Sequence, residues 1–258
     1  MLFKLKEYLF FILKSTNKHG VHSPFVYKLI TLCFDKEVSK KGIKTFYKYR
    51  QQLLDNKQRI KVTDFGAGSQ VFKSNQREIA KIAKVAGVST KKATLLIKLV
   101  SYFQFKNILE IGTSLGLGTT AMCAENKTSV ITTLEGCSKT AKIAQQQFNE
   151  FGFKNIKLIV GDFKETLPKA IESQKFDLIY FDGNHQKKPT LQYFETCLET
   201  AHNDSVFVFD DIHWSKEMKE AWQIIKQHPK VRVTVDVFHW GIVFFRTEQE
   251  KQHFTIRV

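Results

Sequence analysis

The sequence predicts an α/β protein: a doubly wound, mostly parallel seven-stranded sheet with an antiparallel C-terminal hairpin, preceded by a helical N-terminal extension. Three observations carry this. From Asn107 onward, short apolar runs alternate with helical segments, the spacing of βαβ units and hence of a parallel sheet covered by helices. The last two strands, residues 231–238 and 241–246, are joined by too few residues for a crossover and must be antiparallel. Residues 1–106 instead show helical periodicity, and the charge changes where the pattern changes. Residues 1–109 hold 22 Lys and Arg against six Asp and Glu, a balance of +16, while residues 110–258 hold 18 against 19. The expected division is therefore a basic, mostly helical part over 1–106 and a neutral sheet domain over 107–258.

Composition bounds the rest. At 258 residues and 43% apolar content, the chain can bury a full core, with 23 Phe contributing heavily. The longest uncharged apolar run near the start, residues 8–13, is far short of the ~20 residues a membrane span needs. No small-residue cleavage site follows it, so neither a span nor a secretory signal is expected. Cys33, Cys123, Cys137 and Cys197 are widely spaced without a C-x-x-C pair, which suits reduced core thiols and a cytoplasmic location.

Taken in order, residues 1–14 place Leu2, Leu5, Leu9 and Ile12 on one face of an amphipathic helix. That face is expected to dock on the rest of the protein, with contact to an anionic membrane surface as the alternative. Ser23 caps a helix starting at Pro24 and running to about Phe34. A further helix covers 43–54, with Phe46, Tyr47, Leu53 and Leu54 as its apolar residues. The segment Asp64-Phe65-Gly66-Ala67-Gly68-Ser69 imitates a nucleotide loop, but no convincing helix follows it, so a turn or flap is expected. Helices over 75–86 and 89–103 complete the first part. Strands follow at 108–111, 130–134, 156–160, 176–181 and 205–209, with helices at 117–124, 138–151, 165–173, 189–201 and 215–227.

Chemistry concentrates at the strand ends, where open α/β sheets bind ligands. The first strand carries Glu110 and breaks into Gly112-Thr113-Ser114-Leu115-Gly116 before a helix start, which offers backbone N–H groups and a positive dipole end. The second ends at Glu135-Gly136, where a carboxylate can accept two ribose hydroxyls. The third ends at Asp162-Phe163, beside an adenine amino group, and the fourth at Asp182. A dinucleotide fingerprint could be read from Gly116-Leu117-Gly118 to Ala121, but it begins several residues late; no P-loop lysine is present.

The set E-I-G-T-S-L-G at 110–116, T-L-E at 133–135, G-D-F at 161–163, F-D-L-I-Y-F-D at 176–182 and F-D-D at 209–211 resembles class I S-adenosylmethionine-dependent methyltransferases. The likeness runs from Asn107 to Arg246 and is strongest to O-methyltransferases of the catechol and caffeoyl-CoA type. It implies a Rossmann-like fold and an S-adenosylmethionine site built from Glu110, Gly112, Thr113, Ser114, Gly116, Glu135, Gly136, Asp162, Phe163 and Asp182. It also implies a divalent cation, Mg²⁺ in type, on Asp182 and the pair Asp210-Asp211, lowering the pKa of an acceptor hydroxyl. Asp211 stands where the family carries an amide, and His185 stands where it often carries a basic lysine. A histidine there can act as general base or substrate ligand beside Asp182. The plainer alternative is that Asp210 or Asp211 only caps the helix near Ser215. His213 and Trp214 would line an acceptor pocket.

The expected partner is a small, acidic or neutral hydroxylated acceptor. Competing readings are a nucleic-acid methyltransferase using the basic N-terminal part, and a non-catalytic cofactor-binding protein. Before residue 110 only Arg50, Arg59 and Arg77 are arginines, which weakens the nucleic-acid reading because phosphate readers favour arginine. Peripheral membrane contact and a homodimer stay open at this point.

Overall fold

A computed structural model describes residues 2–66, 68, 72, 74–124 and 128–258. The chain forms two compact units, residues 1–35 with 171–258 and residues 36–170. Helix α1 (Leu2–Lys14) leads into a 3₁₀ turn, then α2 (Pro24–Leu29), which continues as a π-helical turn over Ile30–Phe34. Ser23 caps α2 as expected, its hydroxyl accepting from the Val26 N–H at 3.4 Å with Pro24 in the first turn.

The second unit starts with α3 (Lys40–Asp55), then a short antiparallel hairpin of β1 (Arg59–Lys61) and β2 (Gln76–Glu78). Next come α4 (Ile79–Val85) and α5 (Thr90–Phe103). The first turn of the helix expected over 75–86 is therefore a strand, because β1 offers it a backbone partner. Strand β3 (Asn107–Ile111), α6 (Leu117–Cys123), β4 (Val130–Glu135), α7 (Ser138–Glu150), β5 (Ile156–Val160) and α8 (Phe163–Ile171) follow. Strands β3, β4 and β5 are parallel, with Glu110 opposite Thr133 in the register. Gly152, at φ +67, ends the helix expected over 138–151.

The first unit resumes with β6 (Leu178–Phe181), α9 (Lys187–Cys197), β7 (Val206–Asp210), α10 (Lys216–Gln227), β8 (Val233–Asp236), β9 (Trp240–Phe244) and β10 (Gln252–Thr255). Strand β6 pairs parallel with β7, and β7 pairs antiparallel with β9. Strands β8 and β9 form the antiparallel C-terminal hairpin, and β10 adds an eighth strand parallel to β8. The main sheet runs β10-β8-β9-β7-β6-β3-β4-β5, so the mostly parallel architecture holds with one strand more than the alternation revealed. Residues 252–255 read as polar, and their N–H and C=O groups are what recruit them to the β8 edge.

Two helices depart in part from the face their apolar spacing suggests. In α3 Phe46 and Leu53 are buried as expected and Tyr49 joins them, while Tyr47 is exposed. In α1 the buried residues are Glu7 and Phe11, and Leu2, Leu5 and Leu9 face outward, the reverse of the expected docking. All four cysteines are buried and none is in a disulfide. Among the described residues no helix is long and apolar enough to cross a membrane.

Candidate functional site

In the second unit, the turn after β3 is built to hold backbone open toward a ligand. The N–H groups of Gly112 and Thr113 both donate to the Leu134 carbonyl at 3.0 Å, which folds the chain back over the end of β4. Gly112, Ser114 and Gly116 all have positive φ, at 111°, 50° and 79°. Gly116 is required twice over. Its backbone is left-handed, and a Cβ there would stand 2.5 Å from both the Tyr49 hydroxyl and Phe148. The Tyr49 hydroxyl donates to the Leu115 carbonyl at 2.8 Å and so pins the loop from α3.

Glu110 lies beneath this loop, fully buried. One carboxyl oxygen accepts from the Thr133 hydroxyl at 2.6 Å and from the Thr119 hydroxyl, joining β3, β4 and α6. The other oxygen has no hydrogen-bond partner among the described residues. Burial pushes the carboxyl up to about 7, against the two threonine hydroxyls that hold it down. Glu135 accepts from the Ser114 N–H at 2.7 Å with one oxygen, and from the Cys137 N–H at 2.8 Å and Thr140 hydroxyl at 3.1 Å with the other. Its carboxyl is raised by burial, with those hydrogen bonds opposing. The oxygen that accepts from Ser114 keeps lone-pair capacity for a further hydroxyl donor.

Asp162 is exposed and caps α8: its carboxylate accepts from the Lys164 N–H at 2.9 Å, and its carbonyl from the Thr166 N–H. Phe163 follows it, half-buried. Sequence reasoning left residues 64–66 as a turn, yet they reach the same place. Phe65 lies over Gly136, where a Cβ would meet its ring at 2.8 Å. The Thr63 N–H donates to Cys137 Sγ at 3.3 Å, and Arg77 holds Asp64 at 3.2 Å. Ala67 and Ser69 of that segment lie outside the described residues.

The first unit carries the acids. Asp182, His185 and Asp210 bring one ligand atom each to within 4.8 Å of one another. His185 Nε2 is 3.6 Å from Asp182 Oδ1, and His185 and Asn184 both adopt left-handed backbone to place that ring. Asp210 is buried at the end of β7, opposite Trp240 in the register, whose indole N–H donates to it at 2.7 Å. Trp240 escaped the sequence reading because only the register reveals it. Asp211, the expected third acid, lies outside this group; its N–H donates to the His239 carbonyl at 2.8 Å. Neither acid caps α10, because Ser215 does so through the Met218 N–H at 3.1 Å. His213 is buried elsewhere, between Asp236 at 2.8 Å and Glu7 at 3.5 Å, rather than in this group.

Residues 109–212 match the family model described as a methyltransferase domain. A catechol O-methyltransferase from Niastella koreensis is 31% identical over 129 residues, which is 48% of this chain. The chain spans 58% of that relative's length, little more than half. An SAH-bound methyltransferase from Podospora anserina superposes with a TM-score of 0.60 at 16% identity, over 88% of this chain and 97% of that one. The O-methyltransferase from Bacillus cereus in complex with SAH gives 0.53 at 22% identity, over 62% and 82%. At such identities these likenesses concern the fold, which is the Rossmann-like methyltransferase fold. The resemblance read from 110–116, 133–135, 161–163, 176–182 and 209–211 therefore holds for the domain they span.

Proposed function

We propose that the chain transfers the methyl group of S-adenosylmethionine to a hydroxyl oxygen of a small acceptor. The observation that carries this reading is the loop 112–116, with its left-handed glycines, its tie to Glu135 through the Ser114 N–H, and the buried Glu110 beneath it. These residues fit the cofactor. The glycines let backbone approach an amino-acid tail, Glu135 suits the ribose hydroxyls, and Asp162 with Phe163 suits the adenine. The unpartnered oxygen of buried Glu110 suits the positive charge that such a tail brings. Asp182 and Asp210 fit a hard divalent cation by their oxygen donors, which leaves the His185 ring beside them for the acceptor proton.

When bound, the cofactor supplies an electrophilic methyl and the cation lowers the pKa of the acceptor hydroxyl. The chain's own part is positioning and proton transfer. Asp182 and Asp210 hold the acceptor end, with Asp210 fixed by the Trp240 indole. His185 Nε2 takes the hydroxyl proton, and Asp182 at 3.6 Å stabilises the charged ring that results. The four buried cysteines, none in a disulfide, suit a reducing, cytoplasmic setting.

The test is transfer of radiolabelled methyl from S-adenosylmethionine to a panel of catechols, phenols and hydroxylated acids, with Mg²⁺, with Mn²⁺ and with chelator. Label in at least one acceptor, reduced by chelator, supports the reading. Cofactor binding without transfer to any of them supports a non-catalytic binder instead.

A further inference from the structure

Helix α1 is held by the side opposite its leucines. Glu7 is buried and accepts from Lys219 Nζ at 2.7 and 2.8 Å with its two oxygens. Phe11, one turn on, packs on Phe238 with ring centroids 5.4 Å apart, and Tyr8 meets the same ring at 4.9 Å. Lys4 sits 3.4 Å above the Trp214 ring. These contacts fix the rotation of the helix.

The fixed rotation turns an apolar stripe to the outside. Leu2, Leu5, Leu9 and Leu13 are 85%, 58%, 57% and 81% exposed. At 3.6 residues per turn they fall within an arc of about 80° on one side of the helix. Single exposed leucines are ordinary, but four in one line down a helix form a contiguous face. Glu7 is the helix's only acid and is neutralised inside the protein, so the exposed ionic groups of the helix are lysines: Lys6, next to the leucine face, and Lys14 at the helix's C-terminal end.

We propose that α1 lies in the surface of an anionic bilayer, with its leucines among the acyl chains and its lysines at the headgroups. At 1.5 Å rise per residue, its 13 residues span about 20 Å, too short to cross and suited to lying in the plane. Charge selects the occupant. A second copy would bring another lysine-flanked helix against this one, whereas acidic lipids bring the opposite sign. This inference stands apart from the methyl-transfer reading.

The chain is sedimented with vesicles of phosphatidylcholine alone and of phosphatidylcholine with phosphatidylserine, at low and high salt. The expected result is binding to the phosphatidylserine vesicles that high salt releases. Leu5→Ser with Leu9→Ser, or Lys6→Glu with Lys14→Glu, weakens that binding by about tenfold or more. These side chains are exposed, so thermal stability and S-adenosylmethionine binding stay at the wild-type level. No binding to either vesicle overturns the proposal. So does a dimer in sedimentation velocity that the leucine variant dissociates without any vesicle binding, which makes the stripe an interface between copies. Equal binding to both vesicles, unchanged in the leucine variant, overturns it as well.

Discussion

Replacing Glu110 with Gln removes a charge buried at the root of the glycine loop while keeping an oxygen for the Thr119 and Thr133 hydroxyls. The carboxyl is raised from 4.5 to about 7 by complete burial. Between those values the folded protein keeps a proton that the unfolded chain has released. Wild-type stability contributed by this group is therefore present below pH 4.5, falls as pH rises through the window, and is lost above about 7. A displacement of this size corresponds to roughly 3 kcal/mol. Glu110→Gln lacks the titration, so its stability relative to wild type should rise by roughly 3 kcal/mol between pH 4.5 and pH 8. Glu135 is also raised by burial and contributes a fall of the same sign in both proteins, so the difference between them reports chiefly Glu110. Urea unfolding at the two pH values measures it. A variant that tracks wild type at both would refute the claim that Glu110 is desolvated and proton-linked.

Other substitutions separate the parts of the site. Gly116→Ala forces left-handed backbone on alanine and drives a Cβ to 2.5 Å from Tyr49 and Phe148, so it should cost roughly 2–4 kcal/mol in urea unfolding. The same variant should lose S-adenosylmethionine binding in calorimetry; retention of both stability and binding would contradict the cradle. Tyr49→Phe leaves the Leu115 carbonyl without its phenol donor and should cost roughly 1–3 kcal/mol, read by thermal unfolding. His185→Ala should lower turnover by more than about tenfold while leaving cofactor affinity nearly intact. A small effect on turnover would remove His185 from the proton transfer.

Sequence made the sheet legible because the strands from β3 to β8 are short, largely apolar runs each closed by glycine or an acid, and the turn at 112–116 is too glycine-bound to be helix. Helix phase was harder to read. In α1 the leucine stripe and the Glu7–Phe11 face compete, and the pairing of Glu7 with Lys219, 212 positions away, decides between them. In α3 the choice of Tyr49 over Tyr47 rests on a hydrogen bond to Leu115, 66 residues distant. Strand β10 is mostly polar and joins the sheet by backbone pairing with β8, with a side-chain contact between Thr234 and His253 at 2.9 Å. Among the site residues, the resemblance put Asp182, Asp210 and Asp211 around one cation; Asp182, His185 and Asp210 bring ligand atoms within 4.8 Å of one another, and Asp211, whose backbone has a left-handed φ of 53°, lies outside that group. Phe65 and Trp240 had no local signal, since one depends on a packing contact with Gly136 and the other on strand register.

The most direct test of methyl-donor binding is a crystal structure of the chain grown with S-adenosylhomocysteine and a divalent cation. The account predicts the amino-acid tail along Gly112–Gly116 above Glu110, the ribose hydroxyls on Glu135, and a cation held by Asp182 and Asp210. A nucleoside bound elsewhere, or a loop 112–116 that stays clear of ligand in crystals saturated with it, would contradict the account.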